Sequence, residues 1–481
     1  MNATTAPDPR RWKALAVLGV AYLMVVLDIS IVNVALPSIQ KDLDFSIENL
    51  QWVVSGYSLT FGGFLLLGGR AGDLLGRRRV FMAGLGLFAL FSLLCGLSTS
   101  SGMLIAFRAL QGAAGAVLSP SVYSITTVTF AEGADRNKAL GVLGGIAGSG
   151  AAIGVILGGV LTEYLSWSWI FFVNVPIGLA TLLFVPRFVH ESRADGLARQ
   201  FDLGGAVAVT GSLMLFVYAL TETTNIGWGA PRTIGVLIAS GVLMAAFFVI
   251  ETRSRSPLVP LQIFKRRTLT GANTVGFILG TTIFGMFFLL SLYMQQVLGF
   301  SAIQTGLGYL AVALTAIVAS GIAQALVTRI GVKPALAAGM GLLAAGLLTL
   351  TQVSANGSYV SDLLPGFLLI GVGLGFSFVP VSIAALSGAT GKEAGLASGL
   401  INTSQQIGGA LGLAILTTVA TTHTNNLLDD GVSPAKALTD GFSVAFWVAA
   451  GIALLGVLTT IVMLKREDLR MEPEAAGAPV G

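Results

Sequence analysis

The sequence predicts an all-α integral membrane protein with two six-helix bundles and two further helices inserted between them. With 54% hydrophobic residues, 10% charged residues and a mean hydropathy of +0.84, the 481-residue chain has too little polar surface for a soluble globule. Apolar runs of about 20 residues, the length that crosses a bilayer, recur along the chain. Lys and Arg are concentrated in alternate connecting segments, as in multi-pass proteins.

The apolar runs predict fourteen spanning helices, in three groups. The first bundle occupies residues 14–190, the inserted pair 202–251 and the second bundle 268–465, while 1–13, 252–267 and 466–481 are predicted to be a cytoplasmic N-terminus, linker and tail. The linker is basic with interspersed apolar residues, which suits either a segment on anionic headgroups or a solvated connection. The runs lie at 14–36, 50–68, 80–98, 102–124, 139–161, 169–187, 203–221, 233–250, 269–293, 305–327, 335–354, 362–384, 396–418 and 442–464.

The distribution of cations predicts the orientation. With the N-terminus in the cytoplasm, all but four of the 27 Lys and Arg fall on inner segments. Lys41, Arg232 and Lys436 are the outer exceptions, and Arg108 lies within a span. We therefore expect a multi-pass protein of the plasma (inner) membrane with both termini cytoplasmic. The same bias accounts for the net charge of +4 and the pI near 9.2, so no nucleic-acid partner is expected.

A weak internal repeat relates the two bundles. An offset near 255 residues superimposes Leu43, Phe45 and Ser46 on Leu298, Phe300 and Ser301, and several glycines also coincide. Both copies run in the same direction, and the inserted pair has no counterpart. Repeats of this kind mark the two parts of a transporter that move against each other.

Asp28 is the most informative residue, because it places a carboxylate inside the first apolar run. An ionised acid near mid-bilayer costs at least about 2.5–3.5 kcal/mol, so its presence requires a reason. At ~1.5 Å per residue, Asp28 lies about 12 Å below the outer end of its helix, Arg108 about 9 Å and Tyr57 about 10 Å. Equal depth predicts one polar cluster, with Gln111 a turn beyond Arg108.

Two interpretations of Asp28 follow. It is either a structural carboxylate with a permanent partner or a group that exchanges a proton or binds a cationic substrate. Burial favours the protonated form of an acid, and a neighbouring cation favours the ionised form. A carboxylate balanced between the two, with Arg108 beside it, could load and release a proton as a cavity opens to each side.

Other polar and aromatic side chains are candidates for a substrate cavity. Aromatic residues on the ninth run suit a loose pocket for bulky lipophilic compounds, although most such side chains belong to a core. Position 283, where the repeat would place a second Asp28, is Ile283. The expected cavity residues are Asn33, Tyr57, Gln111, Phe284, Phe287, Phe288, Tyr293, Gln295, Gln405 and Gln406.

The connection between the second and third runs, residues 68–79, is rich in glycine and arginine. An ordinary basic inner loop would explain the arginines, but it does not explain an Asp among glycines at this spacing. The segment from Gly69 to Arg79 resembles the signature loop of the major facilitator superfamily. That resemblance implies a major facilitator fold and a conformational latch, made in one conformation and broken in the other, formed by Gly69, Asp73, Gly76, Arg77 and Arg78.

Further segments resemble the fourteen-span drug/proton antiporter branch of that superfamily over nearly the whole chain. Residues 27–37 (LDISIVNVALP) resemble its first-helix motif, and 108–116 (RALQGAAGA) its fourth-helix motif, whose arginine is implicated in proton handling. Residues 154–159 (GVILGG) resemble its antiporter motif, with Val155 in place of the usual proline. The glycines of this region, which would also serve helix packing alone, are Gly150, Gly154, Gly158 and Gly159.

The resemblance and the residues together predict proton-coupled efflux of lipophilic cationic or neutral drugs, not an enzyme. No phosphate-binding loop is found, since residues 388–393 (GATGKE) lack the final Ser or Thr, and His190 and His423 are too far apart in sequence to indicate a metal or catalytic site. We expect no cofactor besides the proton motive force, and as partners a small lipophilic substrate, protons and the lipid bilayer, with a monomeric protein. The alternatives are a narrow exporter of one antibiotic or metabolite, a proton symporter and a non-transporting membrane sensor.

Overall fold

A computed structural model describes residues 10–130, 133–193, 202–254, 257–259, 261–387 and 391–464. The predicted cytoplasmic tail 466–481, most of the N-terminal segment 1–13 and part of the linker therefore lie outside the described residues. Within the described chain, fourteen helices are long and apolar enough to cross a membrane. The number of spans predicted from the hydropathy is confirmed.

The first half contains six spanning helices. They are α1 (Arg11–Asp42), α2 (Trp52–Leu75), α3 (Arg77–Gly96), α4 (Ser101–Thr129), α5 (Ala134–Tyr164) and α6 (Asn174–Phe188). Single short helical turns, Ile47–Leu50 and Trp169–Phe172, precede α2 and α6.

The inserted pair and the second half supply the other eight. These are α7 (Leu203–Ile226), α8 (Pro231–Arg253), α9 (Arg267–Leu292), α10 (Ala302–Ile330), α11 (Val332–Leu350), α12 (Leu364–Leu386), α13 (Gly391–Asp429) and α14 (Pro434–Met463). A 3₁₀ turn, Leu261–Lys265, precedes α9, a π turn, Tyr293–Val297, continues it, and another π turn, Tyr359–Leu363, precedes α12.

The two halves repeat one packing pattern. In the first half α2 packs on α4 and α1 on α5, and in the second half the corresponding helices pair in the same way, α10 with α12 and α9 with α13. Across the halves, α5 packs on α10 and α13 on α2, which are again equivalent pairs. The repeat that is weak in the sequence is therefore plain in the arrangement of the helices.

The inserted helix α7 lies over the seam between the halves. It packs on both α2 and α13, with Val217 in a small apolar cluster beside Leu59 of α2 and Ala414 of α13. The Gln51 amide donates to Thr221 Oγ1 at 2.9 Å, and Thr418 Oγ1 donates to the Leu220 carbonyl at 3.3 Å. The insertion thus covers one of the two seams, while the seam between α5 and α10 has no such cover among the described residues.

Several helix boundaries differ from the sequence-based expectation, among them the start of α14 at Pro434. The segment 68–79 is almost entirely helical, because α2 runs to Leu75 and α3 begins at Arg77, so only Gly76 (φ +113°) makes the turn. A side chain would be strained at that φ, and glycine is not. Both α1 and α13 extend beyond their predicted ends, to Asp42 and Asp429, since polar residues continue a helix once it has left hydrocarbon.

Close packing in the first half depends on Gly112 of α4. A Cβ at this position would lie 2.2 Å from the Tyr57 carbonyl oxygen on α2. We expect Gly112→Ala to lower the free energy of unfolding by about 1–3 kcal/mol through overpacking, measured by thermal unfolding of the purified protein in detergent. Gly102→Ala, on the same helix, is the control, since a Cβ at that position meets nothing within 4 Å. Equal stability of the two variants would contradict the close contact of Gly112 with α2.

Candidate functional site

Asp28 lies at the centre of a buried polar cluster in the first half. Its side chain has no exposed surface and accepts three hydrogen bonds. Oδ2 accepts from Arg108 Nη1 at 2.7 Å, and Oδ1 accepts from Gln111 Nε2 at 2.8 Å and from Asn174 Nδ2 at 2.9 Å. The buried carboxylate is therefore held by donors from two other helices, α4 and α6.

Arg108 contributes only one nitrogen to the carboxylate. The same Nη1 also donates to Gln111 Oε1 at 2.7 Å, while Nε donates to the Val53 carbonyl of α2 at 3.0 Å. The guanidinium carbon lies 4.3 Å from the centre of the Tyr57 ring and 5.5 Å from that of Phe171. The arginine is therefore held by α2 and by aromatic faces as well as by its counter-ion.

The sequence-based argument did not find Asn174, Ser92 or the contact of Cys95. The Asn174 amide also donates to Ser92 Oγ at 3.0 Å, and Ser92 donates to the Phe171 carbonyl at 2.8 Å. Cys95, expected to be a small apolar group, directs its Sγ to Gln111 Oε1 at 3.6 Å. Asn174 is the first residue of α6, just after the helical break at Val173. Polar residues are common at helix starts, so the sequence does not indicate that this one is buried.

Seven of the ten expected cavity residues fall into two groups. Phe284, Phe287 and Gln405 are only partly buried, on the facing helices α9 and α13, and Asn33 of α1 is also half-buried. Tyr57 and Gln111 belong instead to the buried cluster around Asp28, and Gln406, which is 8% exposed, lies at the contact of α13 with Gly62 of α2.

Three of the expected cavity residues have other roles in this conformation. Phe288 and Tyr293 have no exposed surface and lie in the apolar core that includes α9. The Tyr293 hydroxyl donates to the Ser354 carbonyl at 2.7 Å. Gln295 reaches across the halves and donates to the Val34 carbonyl of α1 at 2.8 Å. It also lines an open pocket at this end of the molecule, together with Gln40 and Gln296.

The latch residues make their described contacts within the first half. Asp73 Oδ1 accepts from Arg77 Nη2 at 2.6 Å and from Ser124 Oγ of α4 at 3.4 Å. The backbone amide of Arg78 donates to Glu191 Oε1 at 3.1 Å. Glu191, which sequence reasoning missed, thereby caps the start of α3. Gly69, the first of the latch residues, packs against Pro120 of α4.

The glycines of α5 allow two close helix contacts. Gly150, Gly154 and Gly158 face α1, where a Cβ would meet Val26, Ser30 Oγ and the Ile31 carbonyl oxygen at 2.9, 1.9 and 2.7 Å. Gly159 faces the other way, toward the first turn of α10.

Twelve spans in two repeated halves and an inserted pair, with a charged cluster sealed inside the first half, define a multi-pass membrane transporter. The chain belongs to the Major Facilitator Superfamily, whose family profile matches residues 18–413. Members of this family are transporters rather than enzymes and bind small-molecule substrates within the membrane.

Curated relatives align along almost the whole chain. The puromycin resistance protein of Streptomyces alboniger is 39% identical over 98% of this chain and 95% of its own length, and the cephamycin export protein of Amycolatopsis lactamdurans is 38% identical over 93% and 92%. The lincomycin resistance protein of Streptomyces lincolnensis is 32% identical over 94% and 91%.

Solved structures share the fold at low sequence identity. A nucleoside transporter aligns with a TM-score of 0.67 at 12% identity, over 94% of this chain and 100% of that one. A bacterial homologue of the human lysosomal transporter Spinster aligns with a TM-score of 0.66 at 13% identity, over 97% and 100%.

The cluster predicts a pattern of stabilities. Arg108→Gln leaves a buried carboxylate without its cation and should lower the free energy of unfolding by about 3–5 kcal/mol. Asp28→Asn should lower it by less, because Arg108 keeps the Val53 carbonyl, Gln111 Oε1 and the face of Tyr57. The double variant removes both charges and should be less destabilised than the sum of the single variants. Thermal unfolding in detergent measures all four proteins, and strictly additive effects would show that the two side chains are not coupled.

Proposed function

We propose that this protein exports lipophilic cationic or neutral drugs or antibiotics by proton-coupled antiport across the cell membrane, with both termini in the cytoplasm. The observation that carries the proposal is the buried Asp28, held by Arg108 through a single guanidinium nitrogen. The similarity to antibiotic resistance and export proteins supports drugs as the substrate class.

The cluster is built so that Asp28 can lose its charge without leaving Arg108 unpartnered. When a proton binds Asp28, Arg108 keeps the Val53 carbonyl, the Gln111 side-chain oxygen and the face of Tyr57. Arg–carboxylate pairs are frequently bidentate, with two nitrogens of the arginine fork on the carboxylate, whereas this pair uses one. The alternative partners therefore favour exchange over permanent pairing.

Transport then follows from the movement of the two halves. With the carboxylate ionised, three donors from α4 and α6 hold α1 to the rest of the first half. Protonation removes the charge that these donors share and loosens α1. Because α1 also carries Val34, which contacts Gln295 of the second half, proton binding is coupled to the contact between the halves.

The substrate surface lies mainly on the second half. Phe284 and Phe287 offer partly exposed aromatic faces, and Gln405 adds a polar point on α13. The second half has Ile283 where the repeat would place another acid, so one carboxylate serves the whole transporter. Neutral compounds and monocations are favoured over dications for that reason.

A narrower function, the export of one antibiotic or metabolite, is the second candidate. It is favoured by the names of several relatives, each of which refers to a single antibiotic. Accumulation assays with a panel of antibiotics and fluorescent lipophilic cations in cells expressing the protein separate the two: export of one compound class indicates the narrow function.

Asp28→Asn tests the proton coupling. In everted vesicles the variant should still bind neutral ligands but lose drug-driven proton movement, because an amide cannot release a proton at physiological pH. Glu222→Gln is the control, since Glu222 pairs with Arg232 within the inserted helices and should leave coupling intact. Retained coupling in Asp28→Asn would refute the role of this carboxylate.

The energetics of exchange can be measured separately. If one proton exchanges for one monocation, no net charge crosses, and the membrane potential, which contributes about 2.3 kcal/mol per charge per 100 mV, should have no effect. Uptake into vesicles should then respond to an imposed pH gradient and not to an imposed potential. A response to potential alone would indicate a different stoichiometry or coupling ion.

A further inference from the structure

The contacts between α5 and α10 form a regular stripe at one end of the molecule. This is the end remote from the basic connecting segments, and we refer to it as the remote end. A Cβ on Gly306 of α10 would lie 2.4 Å from the Val155 carbonyl oxygen, and a Cβ on Gly159 would lie 2.8 Å from the Ala302 carbonyl oxygen. The two helices therefore meet backbone to backbone at successive turns of α5.

Glu163 continues that stripe by one more turn. Positions 155, 159 and 163 are spaced four apart, so they lie on one face of α5. Glu163 Oε2 accepts a hydrogen bond from the backbone amide of Ala302, the first residue of α10, at 3.1 Å. A carboxylate of the first half thus contacts the N-terminus of a 29-residue helix of the second half, where the helix dipole favours negative charge.

The N-terminus of α10 leaves this amide for Glu163. Its own capping box pairs Ser301 with Gln304, satisfying the Gln304 amide at 3.3 Å and the Ser301 amide at 2.9 Å. The Ala302 amide is not part of that box, and its described acceptor is Glu163. The cap of α10 is therefore completed by the other half of the protein.

Other contacts across the halves occur at the same end. The Gln296 amide donates to Gln40 Oε1 at 2.6 Å, beside the Gln295 contact with Val34. At the basic end, by contrast, Asp73 is engaged by Arg77 and Ser124 of its own half. Residues toward the basic ends of α5 and α10, such as Val142 and Ile322, are exposed. The described contacts correspond to a conformation closed at the remote end.

We propose that Glu163 is a second latch, separate from the latch residues between α2 and α3. It caps α10 across the two halves and stabilises the conformation closed at the remote end. Opening this end separates α5 from α10, so that the exposed Glu163 carboxylate loses the Ala302 amide and the buried Ala302 becomes accessible to solvent. The latch acts on the balance between the two conformations and does not depend on the proton-coupling role proposed for Asp28.

Crosslinking across the remote end tests the latch. Gln40→Cys and Gln296→Cys place one thiol on each half, and the native Cys95 is fully buried. In this background, Glu163→Ala should shift the equilibrium between the closed and open conformations roughly fivefold toward the open one, the shift expected from loss of one helix cap, and should therefore slow reaction with a short bifunctional thiol reagent. Glu163→Gln keeps an acceptor but loses the charge, so its crosslinking rate should lie between those of the Glu163 parent and Glu163→Ala.

Matched controls keep the test decisive. Glu222→Ala removes an acid that pairs within the inserted helices and should leave the crosslinking rate unchanged. Gly306→Leu should slow the reaction by wedging α5 from α10, whereas Gly321→Leu, on the same helix with nothing within 4 Å, should not. An unchanged rate in Glu163→Ala or in Gly306→Leu, or an equal loss in Glu222→Ala, would overturn the proposal.

Discussion

The first half is organised around one ion pair removed from water. Asp28 and Arg108 and the groups that bind them belong to α1, α2, α3, α4 and α6, so a single charge cluster joins five of the six helices of this half. A buried charge must be paired and hydrogen-bonded, and this requirement fixes the relative positions of the helices more strictly than apolar contact does.

Glycines provide the close helix contacts that the charge cluster does not. Helices in lipid gain little from apolar burial against one another, and small residues let their backbones approach. On α5 the two faces serve different purposes, because Gly154 packs on α1 within the half and Gly159 packs on α10 across the halves. The first contact holds a half together, and the second joins the two halves.

The two halves share a packing pattern but not a chemistry. The acid of the first half has no counterpart in the second, where Ile283 is buried among apolar neighbours. The second half instead carries partly buried aromatic side chains on α9 and a partly buried glutamine on α13. The inserted helix α7 adds a further asymmetry, because it covers the seam between α2 and α13 and leaves the seam between α5 and α10, where Glu163 lies, uncovered within the described chain.

The sequence alone determined the number of spans, because hydropathy is a local property. It also predicted that Asp28, Arg108 and Gln111 meet, since a charge in hydrocarbon needs a partner at its own depth. Depth, however, does not give direction around a helix axis. Only the tertiary structure could place Asn174 on Asp28, bury Tyr293 in the core, set Gln295 against Val34 of the other half and join Glu163 to Ala302. These contacts depend on how helices distant in sequence are rotated and on which end of the two halves is closed.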